Sequence, residues 1–328
     1  MIFSIIYRES VLYWQKSKAF APYARAKTDN RGIRMNEKKV GNKAQVCFAQ
    51  DIVIADKRCI LVRNGGLELL FNKDNALDIV WANFKGVNLS FLSKNGLNDG
   101  ARDFTGNFEG GFLYTCGMDN VSGCVAGKPV HGSLHYKKAD NAYHYEKDGV
   151  IYVCGDIQES ALFGKNLILH RAYKITATSL EINDTVENAA FQDSEYVLLY
   201  HVNYGYPFLD ESLRLDVPAI QSEPLTEIAK KRQDEMFKIT PPLDKNDEDV
   251  YYHTLAEGKI RLHNPDVGIT VAMEYDVNDF PVTLQWKSMT SGDYALGIEP
   301  ALTRFDRFAM QPIKAKTSKT YQIKINFQ

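Results

Sequence analysis

The chain has 328 residues, 45% of them apolar and 24% charged, with a net charge of −2 at pH 7. That length supports a substantial buried core without staples. The near-neutral balance gives no electrostatic footprint for a nucleic-acid partner. No segment reaches the roughly 18 consecutive apolar residues of a membrane span, so no membrane partner is expected. Five cysteines without CxxC spacing favour free thiols in a reducing compartment, and a cytoplasmic location is expected.

Residues 1–34 carry seven basic side chains against Glu9 and Asp29 and show no strand alternation. They read as a poorly ordered or mis-started extension, with Met35 opening a more ordinary beginning. A basic targeting arm is the alternative reading. From about residue 45 the chain becomes a succession of short strand signals. Cys59-Ile60-Leu61-Val62-Arg63 and Leu67-Glu68-Leu69-Leu70-Phe71 flank a hairpin turn at Asn64-Gly65-Gly66. Val87 to Phe91 alternates apolar and polar residues, as a half-buried strand does. The runs from Leu167 to Thr176 and from Leu180 to Glu187 predict a long antiparallel pair. The best helical stretch is 225–238, followed by an acidic run, 244–249, expected to be a solvated loop. The alternating run 321–327 predicts a closing strand. Many strands without regular strand–helix alternation predict an all-β chain, a large and mostly antiparallel β-sandwich, as one domain from 45 to 328.

Three ionisable residues stand out by their local context. His201 ends the apolar run 196–200 and precedes the turn formers Asn203, Gly205 and Pro207. His131 sits between Pro129 and Gly132, downstream of several glycines that permit close backbone approach to a ligand. Glu299 follows an apolar strand and precedes Pro300, a setting that raises a carboxyl's proton affinity toward the working range of a base. Each taken alone reads more readily as a structural histidine or an ordinary turn glutamate. His135, four residues after His131, is not on a helical pattern, and the spacings of Cys116, Cys124 and Cys154 fit no common zinc arrangement. Arg102, beside Asp103, is a candidate fork of donors for substrate hydroxyls. Trp286, after Gln285, and Tyr204 are candidate platforms for the apolar face of a sugar ring. Phosphate-loop, dinucleotide and Gly-x-Ser-x-Gly signatures are absent.

Taken in order, these segments resemble the aldose 1-epimerase (galactose mutarotase-like) family, specifically an uncharacterised bacterial epimerase-like branch. The likeness rests on Gly110-Gly111-Phe112-Leu113-Tyr114-Thr115-Cys116-Gly117-Met118-Asp119-Asn120, His131-Gly132, the segment from Glu159 to Leu167, Tyr200-His201-Val202-Asn203-Tyr204-Gly205-Tyr206-Pro207 and Gly297-Ile298-Glu299-Pro300-Ala301. It spans roughly residues 59 to 327. The resemblance implies a β-sandwich that interconverts the α and β anomers of an aldose by acid–base ring opening, without metal or nucleotide cofactor. It implies His201 as general acid toward the ring oxygen, Glu299 as base at the anomeric hydroxyl and His131 as an assisting sugar contact. Arg102, Trp286, Gln285 and Tyr204 would bind substrate.

Around His201 the sequence departs from the Asn-His-Thr-Tyr-Phe-Asn of better-known mutarotases. The family's sugar-selective aspartate has only Asp210 and Asp293 as candidates. The expected partner is a small sugar or sugar derivative. Two alternatives stay open: a non-catalytic sugar binder on the same scaffold, and a phosphosugar epimerase in which Arg63, Arg171 and Arg304 would converge on phosphate.

Overall fold

The computed structural model describes residues 47–97, 104–123, 127–245 and 247–328; the N-terminal extension and Arg102 lie outside them. The described residues fall within the compact unit Ala44–Gln328. In chain order the strands are β1 (Cys47–Ile54), β2 (Lys57–Asn64), β3 (Leu67–Asn72), β4 (Asp78–Phe84), β5 (Val87–Asn88), β6 (Leu113–Gly117), β7 (Ala139–Lys147), β8 (Val150–Ser160), β9 (Asn166–Ile175), β10 (Ser179–Asn188), β11 (Ser194–Tyr196) and β12 (Leu198–Tyr204). They continue as β13 (Arg214–Asp216), β14 (Ala219–Pro224), β15 (Asp249–Leu255), β16 (Gly258–Asn264), β17 (Ile269–Tyr275), β18 (Val282–Thr290), β19 (Asp293–Ala301), β20 (Gln311–Ile313) and β21 (Ser318–Phe327). Two short helices interrupt them, α1 (Phe104–Asn107) and α2 (Glu227–Lys231).

The strands form an all-β sandwich. One sheet holds β13-β16-β17-β21-β10-β9-β8-β7 and the next β14-β15-β18-β19-β12-β6. A five-stranded meander, β1 to β5, and the β11-β20 pair complete the fold. Period-2 patterning builds these sheets as expected. In β9 every second residue is buried, and the strand pairs antiparallel with β10 from Leu180↔Ile175 to Asn188↔Leu167. The hairpin at Gly65-Gly66 joins β2 to β3, and β21 closes the eight-stranded sheet between β17 and β10.

Two expectations change. The 225–238 helix shrinks to α2 and a 3₁₀ turn, Gln233–Glu235. Thr226 caps α2 by accepting from the Ala229 amide, and few apolar side chains in the stretch find a core to extend it. The acidic run is not uniformly solvated. Asp249 opens β15 at 1% exposure and pairs with Arg232 (3.4 Å) and the buried Lys287 (3.5 Å).

The two large sheets meet across an apolar core with a charged hub. Arg171, fully buried on β9, bonds Asp184 on β10, Asp78 on β4 and Thr115 on β6. Tyr200 on β12 donates to the same Asp184 at 2.7 Å, so the hub ties the six-stranded sheet to the eight-stranded one. Among the described residues, no helix is long and apolar enough to cross a membrane.

Candidate active site

Strands β6, β12 and most of β19 are buried on both faces, unlike the half-exposed strands of the eight-stranded sheet. A strand with both faces covered is expected to be apolar throughout. These three nevertheless carry Thr115, His201, Asn203 and Glu299 at 5% exposure or less. Tyr200, Val202 and Tyr204 point toward the core, so His201 and Asn203 point to the opposite face. The register that pairs Leu199 with Ala301 and Val202 with Ile298 sets His201 opposite Glu299. Their side chains meet there, His201 Nε2 lying 3.1 Å from Glu299 Oε1.

Gly297 makes room for this contact. A Cβ at that position would lie 2.7 Å from Glu299 Oε1 and 3.0 Å from His201 Cε1. A glycine inside an apolar strand often marks such a close approach.

His131 arrives from a different element, the loop after β6. Its φ is +60°, and Gly132 follows at +84° in a space where a Cβ would come within 2.2 Å of the Asn120 carbonyl oxygen. A left-handed imidazole-bearing residue is uncommon and marks a functional candidate. Its Nδ1–H donates to the Val121 carbonyl at 2.8 Å, which leaves Nε2 as an acceptor in the neutral ring. Its ring centroid is 6.1 Å from that of His201.

Aromatic rings enclose both imidazoles. Phe104 and Phe305 pack on His131 at 4.7 and 5.8 Å, and Phe108 and Trp286 on His201 at 5.7 and 5.5 Å. The Trp286 indole N–H donates to Glu248 at 2.9 Å.

The electrostatics follow from this enclosure. Burial lifts the Glu299 carboxyl to about 8, and the nearby Glu248 carboxylate adds to the shift. Burial drives the His201 imidazole down to about 3, with His131 contributing. His131 is lowered too, again through burial. Burial thus favours the uncharged form of each partner, a protonated Glu299 facing an unprotonated His201 Nε2. Among the described residues the other His201 nitrogen, Nδ1, is buried with no partner in close hydrogen-bond geometry, although the Asn203 side chain works against the burial and favours the charged ring. A buried polar atom left without a partner is costly, and a ligand is one way to satisfy it.

The structure thus brings together His201, Glu299, His131 and Trp286. It does not bring in Gln285 or Tyr204. Gln285 precedes Trp286 and so faces the other side of β18, where it donates to the Met236 carbonyl (2.6 Å) and meets His253 (3.3 Å). Tyr204 is fully buried in the core between Phe112 and Phe208. Asp210 caps a loop through Ser212 and Asn264, and Asp293 pairs with Lys94 at the surface.

The three phosphate-site arginines do not converge. Arg63 pairs with Glu68, Arg171 is the core hub, and Arg304 is bound by Glu223 and Asp306 while stacked on Tyr252. Sequence reading missed Phe104, Phe108, Phe305 and Glu248. Nothing local distinguishes those aromatics from core residues, and Glu248 was hidden in the acidic run.

Comparison with known proteins follows the same lines. Residues 56–325 match the family described as Domain of unknown function (DUF4432). The chain belongs to this family. Among solved structures, this DUF4432 chain is similar to a proposed aldose 1-epimerase from Klebsiella pneumoniae, at TM-score 0.74 and 16% identity over 86% of this chain and 83% of that one. It is also similar to a galactose mutarotase-like protein from Clostridium acetobutylicum, at TM-score 0.64 and 14% identity over 87% and 99%. Identities this low establish a shared fold. No curated protein matches the chain.

Proposed function

We propose that this DUF4432 protein is a mutarotase-type isomerase that interconverts the α and β anomers of an aldose or aldose derivative. The observation that carries the reading is the 3.1 Å contact between His201 and Glu299, two buried groups whose uncharged forms burial favours, so that one can give a proton as the other takes one. The fold shared with the Klebsiella and Clostridium proteins supports it.

Ring opening requires a proton to leave the C1 hydroxyl while another reaches the ring oxygen. Both oxygens are bonded to C1, so they lie close enough together to engage two adjacent side chains. A pair with one proton is suited to this work, since one member gives as the other takes. As Glu299 protonates the ring oxygen, His201 takes the hydroxyl proton. The C1–O5 bond breaks and the C1 carbonyl forms. Rotation about C1–C2 presents the other carbonyl face, and both protons return on closure. The assignment implied by resemblance, His201 as acid and Glu299 as base, differs from this resting state by one proton shift across the contact.

His131 Nε2 accepts from a sugar hydroxyl, Trp286 faces the ring's apolar side, and Glu248 both steadies the indole and offers a carboxylate to a hydroxyl. The test is polarimetry on freshly dissolved single anomers across a panel of sugars, with Glu299→Gln beside wild type. Acceleration by wild type that is lost in the variant is the expected outcome. Saturable binding, seen by saturation-transfer NMR, without acceleration over buffer would identify a sugar binder instead.

A further inference from the structure

Behind the site lies a second imidazole system that the proposed chemistry does not use. His135, 2% exposed, has a carboxyl group at each ring nitrogen: Nδ1 is hydrogen-bonded to Asp78 Oδ2 at 2.8 Å, and Nε2 lies 3.6 Å from Glu109 Oε1, a contact longer than a hydrogen bond. Asp78 is itself fixed by Arg171 at 2.6 Å and by the amide and hydroxyl of Thr115 at 2.7 and 2.6 Å. Burial keeps the Glu109 carboxyl above the usual carboxylate range. A buried cluster of this kind is poor evidence for stability, because apolar residues of similar volume often do as well. Its use must be sought in what it holds in place.

Two rings answer that. The His135 imidazole lies flat on Tyr114, with centroids 3.7 Å apart and planes 18° apart. Tyr114 on β6 is the direct cross-strand partner of His201 on β12. Glu109 follows Phe108, whose ring touches Tyr114 at 5.1 Å and His201 at 5.7 Å. One imidazole therefore underlies one ring beside His201 and lies against the residue adjoining another.

We propose that His135 is a positioning residue: clamped between Asp78 and Glu109, it sets Tyr114 and Phe108 against the His201 imidazole and so fixes that ring relative to Glu299. The inference rests on the reading of His201 and Glu299 as the working pair, but its first readout does not require turnover. Long-range ¹H–¹⁵N spectra of the histidine imidazoles report the environment of His201 whether or not the protein isomerises any sugar.

Glu109→Gln keeps the side chain's shape and removes a carboxyl whose charge burial already disfavours, so it is the variant expected to fold. His135→Gln, which keeps a donor for Asp78, accompanies it. The expected result is an unchanged melting temperature in Glu109→Gln, with His201 ring signals shifted or broadened. Where wild type accelerates mutarotation, kcat falls about tenfold with KM little changed, the pattern of a misplaced rather than a missing group.

His201 signals and kcat at wild-type values in a folded Glu109→Gln would overturn the proposal, whatever the fate of His135→Gln. A wild type that shows no mutarotation would remove the proposed function, yet the spectra would still decide whether His135 positions His201.

Discussion

The His201–Glu299 pair has an unusual proton inventory for neutral pH. Glu299 is lifted to about 8 and His201 is lowered to about 3, both chiefly by burial. Between those limits one proton is shared, and above about pH 8 the pair has none to donate. Initial mutarotation rates measured by polarimetry are therefore expected to be level through neutral pH and to fall as the pH rises past about 8. Stability carries the same signature. A carboxyl whose folded value lies above its unfolded value binds more protons when folded, so stability declines as the pH climbs from the unfolded value toward 8. Glu299→Gln removes that decline. Its melting temperature relative to wild type should rise between pH 5 and pH 9, while its mutarotation drops by about 100-fold or more, the lower end of the range for removal of a general acid–base group.

Strand geometry decides which neighbours can share the site. The β12–β19 register sets the two groups opposite each other, and Gly297 leaves the space they occupy. Gly297→Ala places a methyl against both side chains. It is expected to cut the initial rate about tenfold or more through displacement of the pair. The strand backbone stays compatible with alanine, so melting should shift little, and a wild-type rate would refute the crowding argument.

On β18 the same alternation separates neighbours in sequence. Trp286 faces His201, whereas Gln285 secures the segment after α2 through the Met236 carbonyl, beside Lys287, which donates to the carbonyls of Glu235 and Lys238. Gln285→Ala is thus expected to destabilise by about 1–3 kcal/mol in urea titrations, the range for an orphaned buried hydrogen-bond partner. Its polarimetric rate should remain near wild type. A large loss of rate with unchanged stability would return Gln285 to the site.

At the scale of the whole molecule, Arg171 joins three sheets. Its guanidinium takes Asp184 from its own sheet, Asp78 from the five-stranded meander and Thr115 from the six-stranded sheet, and Tyr200 adds a bond to Asp184 beside His201. Truncating one member of a buried charge network costs about 3–5 kcal/mol because it strands the others. Arg171→Met should therefore lower the denaturation midpoint sharply or prevent folding. A midpoint within error of wild type would show that the hub is dispensable.

Parity along a strand explains much of what was legible and what was misread. Leu167, Leu169, Tyr173 and Ile175 are the inward set of β9, and Arg171 belongs to it by count alone, which argues against a phosphate ligand. Tyr204 shares parity with Tyr200 and Val202, not with His201. Gln285 and Trp286 are adjacent, so both could not face one ligand. Each of these corrections was available from the period of two.

Strand content, the hairpin at Gly65-Gly66, the β9–β10 pair and the closing strand were fixed by local alternation and turn chemistry, which depend only on near neighbours. The meeting of His201 with Glu299, the ring of Phe104, Phe108, Phe305 and Trp286, and the placement of Glu248 were decided by tertiary structure. Those contacts join residues as far apart in sequence as Phe108 and Trp286, and only the pairing order of strands, a property of the folded chain, sets which of them touch.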